Sequence, residues 1–151
     1  MAPKKKKKQT KRHYPKRYTA KLSKEDKKRQ QKALRTSTAA YKRGKYITRP
    51  SLKSFTSKKS SWTQQFHSLY PEAKTLSQIS KQTGIPKAAL SAVKKKGMGA
   101  YYSSGSRPNQ TAESWGKARM YSYILGGPTR KVDNHITQKY KVHFKHRAKS
   151  S

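Results

Sequence analysis

The sequence predicts a mainly α protein: a small helical domain of three to four short helices, one pair of them helix-turn-helix-like, carried between long basic arms that are extended or disordered when alone. Three observations predict it. Large apolar residues are concentrated in the middle of the chain and recur there at helical spacing, as at Trp62, Phe66 and Leu69. The helical stretches are punctuated by Ser or Thr before them and by Gly and Pro after them. Residues 1–60 hold 23 of the 39 Lys and Arg, residues 61–127 hold 9 and residues 128–151 hold 7, while only 30% of the chain is hydrophobic. A core drawn from so little apolar material is thin, so the chain divides into a basic N-terminal arm (1–60), a helical domain (61–127) and a basic C-terminal tail (128–151).

The N-terminal arm opens as a charge run through Lys21, broken by His13, Tyr14, Pro15 and Tyr18. One helix is expected within it, over about 24–40. Ser23 is its cap, Asp26 completes a weak capping box, and Glu25 and Asp26 complement the positive end of the helix dipole. With little more than Ala33, Leu34 and Tyr41 to bury, that helix needs a partner surface to persist. Residues 44–60 read as a linker.

In the domain, Ser61 caps a short helix with Trp62, Phe66 and Leu69 on one face, ended by Pro71. Thr75 caps a second helix with Leu76, Ile79 and Ser80 inward, broken by Gly84. Pro86 takes the first position of a third, over about 86–96, which buries Ala89, Leu90 and Val93 and ends at Lys94-Lys95-Lys96 and Gly97. After a Gly- and Ser-rich loop through Gly105, Asn109 or Thr111 starts a fourth helix that stops at Gly126-Gly127-Pro128. Trp62, Phe66, Leu76, Ile79, Leu90, Val93, Trp115 and Leu125 are the expected core.

Residues 76–96 look like a helix-turn-helix. Small Ser80 lets the two helices approach, Gly84 supports a left-handed turn, and Ile85, Leu90 and Val93 fill the angle between them. The second helix would then expose Lys87, Ala88, Ser91, Lys94 and Lys95. A glycine between two amphipathic helices is also common in helical bundles, and this helix lacks the Arg, Asn and Gln suited to bidentate base contacts. The shape is therefore expected without sequence-specific reading. Tyr101 and Tyr102, in a glycine-rich stretch, can stack on bases beside Arg107 or pack in a small core; packing is the favoured reading for the rings, with the hydroxyls left for phosphate.

With 39 Lys and Arg against 5 Asp and Glu, the formal net charge is +34. Self-repulsion at that charge calls for a neutralising partner, and nucleic-acid backbones, acidic protein surfaces and anionic membranes qualify. The expected polyanion contacts are Lys4, Lys5, Lys6, Lys7, Lys8, Lys11, Arg12, Lys16, Arg17, Lys87, Lys94, Lys95, Lys96, Arg107 and Arg119. Such contacts go through phosphate and are blind to base sequence. The Lys4–Lys8 run also suits a nuclear localisation signal. No apolar run is long enough to span a bilayer, and no signal peptide is read at the start. There is no cysteine, hence no disulfide and no thiolate metal site. No cofactor and no metal are expected, because His143 and His146 lack an acid to orient them. The acids Glu25, Asp26, Glu72, Glu113 and Asp133 fit capping and loop positions, and no nucleophile elbow, phosphate loop or carboxylate pair appears, so no enzyme is expected.

Thr83-Gly84-Ile85-Pro86-Lys87, Gly97-Met98-Gly99-Ala100-Tyr101, Arg107-Pro108, the run from Trp115 to Tyr123 and Gly126-Gly127 together resemble a small uncharacterised domain of large double-stranded DNA viruses of eukaryotes and of some tailed phages. The resemblance covers about 61–135 and implies a viral origin but no active site. It makes the expected function that of a non-enzymatic structural protein of the particle. As a minor capsid or virion component, its arms would cement neighbouring capsid proteins with acidic surfaces or contact packaged DNA. Its location would be the virion, and the host nucleus or cytoplasm before assembly. The alternatives are a sequence-nonspecific DNA-condensing protein and, third, a ribosomal-type RNA-binding protein.

Overall fold

The computed structural model describes residues 14–55 and 60–148, and among these it contains helices and no strand. A single 3₁₀ turn over Lys16–Tyr18 precedes α1 (Lys24–Lys42), α2 (Ser61–Leu69), α3 (Leu76–Thr83), α4 (Lys87–Ser104), α5 (Ala112–Leu125) and the short α6 (Thr129–Val132) and α7 (Asn134–Lys139). The caps lie close to where local chemistry puts them. The Ser23 hydroxyl accepts from the Asp26 amide, and Ser60, one residue before the expected cap, does so from Trp62 and Thr63. Thr75 with Gln78, and Thr111 with Ser114, each make a reciprocal capping box. Gly84 and Gly126 close α3 and α5 in the left-handed conformation.

The helix expected to end at Gly97 instead continues through Gly97 and Gly99 to Ser104. Its two-turn extension is held by packing. A Cβ on Gly97 would fall 2.7 Å from the Gly116 Cα, and one on Gly116 would fall 2.7 Å from the Lys94 carbonyl oxygen. These glycines let α4 and α5 approach backbone to backbone, and this pair makes the most extensive helix contact in the molecule. Gly97 thus serves the helix crossing rather than a stop.

Phe66, Ile79, Leu90, Val93 and Leu125 are buried as expected, and Trp62 and Leu76 pack half-buried against them. Phe66 stacks on Tyr121 with ring centroids 4.3 Å apart. Trp115 is the exception. It lies half-buried outside this cluster, edge-on to Tyr18 at 6.1 Å.

The described parts of the expected arms are packed on the helical body. Tyr18, Leu22, Leu34 and Leu52 are buried, and α1 lies against α4. The partner surface that α1 needed is the second half of α4 and the loop after it: the Gln30 amide donates to the Ser106 carbonyl at 3.3 Å. At the other end, Ile136 and Val142 are buried and Phe144 meets the Tyr123 ring at 5.0 Å. Arg130 lies 3.6 Å from the Phe144 ring centre and donates to the carbonyls of Tyr123, Ile124 and His146, clasping the tail to the end of α5.

Candidate polyanion interface

Among the described helices, α1 carries the most exposed Lys and Arg. At 3.6 residues per turn, Lys24, Lys28, Lys32, Arg35 and Lys42 fall within an arc of about 80°. All five are exposed. Asp26, Gln30, Leu34 and Ser37 are buried on the opposite side, so the body of the protein fixes which way the stripe faces. None of the five takes part in an ion pair among the described residues. Nineteen residues of helix extend about 28 Å, which matches the axial rise of roughly eight base pairs of duplex.

The segment after α1 is anchored by a buried cation. Arg49, 6% exposed, donates from its guanidinium to the Ser37 hydroxyl (2.7 Å), the Tyr101 carbonyl (2.9 Å) and the Ser106 hydroxyl (2.8 Å), and from its amide to the Tyr101 hydroxyl (2.9 Å). Burial lowers its pKa, against tyrosines that act to raise it, yet a guanidinium keeps its proton in any case. Between α1 and residues 47–53 runs a groove of about 530 Å³, lined by Arg29, Lys32 and Lys53 together with Ala33, Ile47 and Pro50. The single acid at its end, Asp26, is already engaged. The Ser54 hydroxyl and amide donate to its carboxylate and Arg29 pairs with it at 3.0 Å, which holds its pKa below the ordinary aspartate value.

The expected contact residues divide into three groups. Lys4, Lys5, Lys6, Lys7, Lys8, Lys11 and Arg12 lie outside the described residues. Lys16, Arg17, Lys87, Lys95, Lys96 and Arg107 are exposed, whereas Lys94 is half-buried with its ammonium 3.9 Å from Glu113. Arg119 is not a free cation. It donates through Nε and a terminal nitrogen to both carboxylate oxygens of the fully buried Asp133, at 2.9 and 2.7 Å, and so ties α5 to the start of α7. Tyr101 is fully buried and its hydroxyl is engaged by the Arg49 amide, which leaves it no role at phosphate.

The helix pair α3 and α4 is joined by three residues. The Ser80 hydroxyl donates to the Ile85 carbonyl at 2.6 Å, and Ile79, Ile85, Leu90 and Val93 are all buried. Lys87 and Ala88 are exposed, and Ser91 is half-buried. The α1 stripe was absent from the expected contacts. Its signal was present in the spacing of basic residues along a helix whose cap was recognised.

Among the described residues, no three His, Cys, Asp or Glu side chains are grouped to hold a metal, and no helix is long and apolar enough to cross a membrane. Residues 15–142 match a family of unknown function, DUF5824. No curated protein and no solved structure matches the chain.

Proposed function

We propose that the chain, which belongs to this family of unknown function, is a non-enzymatic protein that grips the phosphate backbone of nucleic acid without reading its sequence, as part of a larger assembly. The observation that carries this reading is the face of α1: five exposed cations on one arc, free of ion pairs, on a helix held from behind by a packed body. The charge of +34 supports it, since phosphate neutralises cations that five acids cannot. The helix pair α3–α4 fits the same reading as a backbone-docking element, because Lys87 and Lys95 address phosphate and no Arg, Asn or Gln stands on the exposed face of α4 to read base edges.

A place in a DNA-virus particle, as a minor virion component touching packaged DNA or acidic capsid surfaces, is the narrower proposal and rests on the motif resemblance over 61–135. Retention in particles emptied of DNA would support the capsid contact, and loss with the genome the DNA contact.

The experiment for the broader reading is a fluorescence anisotropy titration of several duplexes of unrelated sequence. Equal affinity for all of them is expected, with a loss of about tenfold or more in a Lys28→Glu, Lys32→Glu, Arg35→Glu variant that keeps its helical circular dichroism. A strong sequence preference, or a variant that binds as tightly as the natural chain, would overturn it.

A further inference from the structure

Beyond its cations, α1 ends in a cluster of aromatic rings that reaches the surface. Tyr41 on the last turn of α1 and Tyr102 on α4 stack nearly parallel, 8° apart in plane with centroids separated by 6.1 Å. Tyr46, two residues past Gly44, tilts against both, at 5.8 Å from Tyr41 and 5.1 Å from Tyr102. Two of the rings come from the end of α1 and the residues just after it, the third from α4, and they meet at one point of the surface. Their burial differs sharply from that of neighbouring Tyr101. Tyr101 is fully buried and hydrogen-bonded, whereas Tyr41 and Tyr102 are half-buried and Tyr46 is 69% exposed. A ring that open gains little from folding.

The surroundings select the ligand. Lys42, Arg43 and Lys45, all exposed, are the close chain neighbours of Tyr41 and Tyr46, and the basic stripe of α1 leads up to them. The acids of α1, Glu25 and Asp26, stand at the opposite end of the helix, about 22 Å away by its rise. Glu113 is paired with Lys117, and Asp133 is buried against Arg119. An exposed ring with cations close by in the chain is what an unpaired base and its flanking phosphates need: the base stacks on the ring and the phosphates meet the cations. A duplex keeps its base faces inside the stack and cannot use the rings.

The geometry points to a single-strand site at the C-terminal end of α1, where Tyr46, backed by Tyr41 and Tyr102, stacks an unpaired base and Lys42, Arg43 and Lys45 hold the phosphates beside it. This inference rests on the polyanion reading and adds a substrate class to it. The protein then prefers single-stranded nucleic acid, or the unpaired ends and loops of a larger one, over uninterrupted duplex.

The test measures the full chain against a short oligothymidylate, a duplex and poly-glutamate by anisotropy at fixed salt. Tyr46→Ala is expected to weaken oligothymidylate about tenfold and to leave the duplex unchanged. Tyr46→Phe, which keeps the ring face, retains the affinity, and both variants melt as the natural chain does. Unchanged oligothymidylate affinity in Tyr46→Ala overturns the site, as does an equal loss for oligothymidylate and duplex. An equal loss for poly-glutamate overturns it too and makes the surface one for acidic protein segments. If the α1 charge variant loses both nucleic acids while Tyr46→Ala loses neither, the single-strand site falls and the polyanion reading stands. If the natural chain binds no nucleic acid, both fall.

Discussion

Replacing Gly97 by alanine sets two effects of opposite sign against each other. Inside a helix, alanine is favoured over glycine by about 0.8–1 kcal/mol, so propensity alone predicts a more stable protein. Packing predicts the reverse. The new Cβ would lie 2.7 Å from the Gly116 Cα, 3.1 Å from the Arg119 Cβ and 3.2 Å from the Trp115 carbonyl oxygen. Two of these are backbone atoms of α5 and cannot rotate away. Restoring ordinary carbon contacts of about 3.5–4 Å means parting α4 and α5 by roughly 1 Å, and such a gap forfeits a quarter to a half of each contact's attraction. Overpacking of this kind costs about 1–3 kcal/mol, and the extent of the α4–α5 contact places this case at the upper end. The net expectation is a loss of about 2 kcal/mol.

Gly99 is the internal control. It lies on the same helix, but a Cβ there meets nothing within 4 Å, so Gly99→Ala should gain about 0.5–1 kcal/mol. Urea unfolding followed by far-ultraviolet circular dichroism should therefore move the midpoint down for Gly97→Ala and up for Gly99→Ala. A Gly97→Ala protein as stable as its parent would refute the close helix crossing.

Phe66→Ala should cost about 3–5 kcal/mol, while Trp115→Ala, half-buried against Tyr18, should cost about half as much; urea midpoints in the opposite order would misplace the core. Arg49→Met leaves Ser37, Ser106 and the Tyr101 carbonyl without their donor, and amide hydrogen exchange across α1 should speed up markedly; unchanged protection would show that Arg49 does not anchor the segment. The Asp26 carboxyl, held below its ordinary value of 3.8 by the donors of Ser54 and then by Arg29, contributes stability that is complete above that pH and is lost as pH falls from there through its folded pKa. The urea midpoint should fall over that window more in the natural chain than in Asp26→Asn, and equal falls would exclude titration of Asp26 as the cause.

The features that were legible in the sequence are those set by neighbours in the chain. Ser23, Thr75, Gly84, Thr111 and Gly126 act on helix ends within a few residues, so their chemistry could be read without knowing the fold. Gly97 could not be read in this way. A glycine in a helix can mark a stop or a close approach, and what decides between them is Gly116 on another helix.

The packing of residues 14–55 escaped for a different reason. Much of it is made by buried polar groups (Asp26, Gln30, Ser37, Thr38 and Arg49), which are invisible to apolar periodicity. Arg119 looked like one more surface cation because its partner, Asp133, becomes adjacent only when the chain turns after α5. The basic face of α1 was readable from spacing alone once the helix had been placed, but which side faced outward followed only from the burial of Gln30 and Leu34.

The central claim is that this chain holds nucleic acid by its phosphates through α1. Its most direct measurement is the slope of log affinity against log salt for a duplex. A steep linear fall is expected for the natural chain, and the slope should shrink by about one for each phosphate-contacting cation removed among Lys28, Lys32 and Arg35 by change to alanine. An affinity that stays flat with salt, or a slope identical in the natural chain and the triple variant, would contradict it.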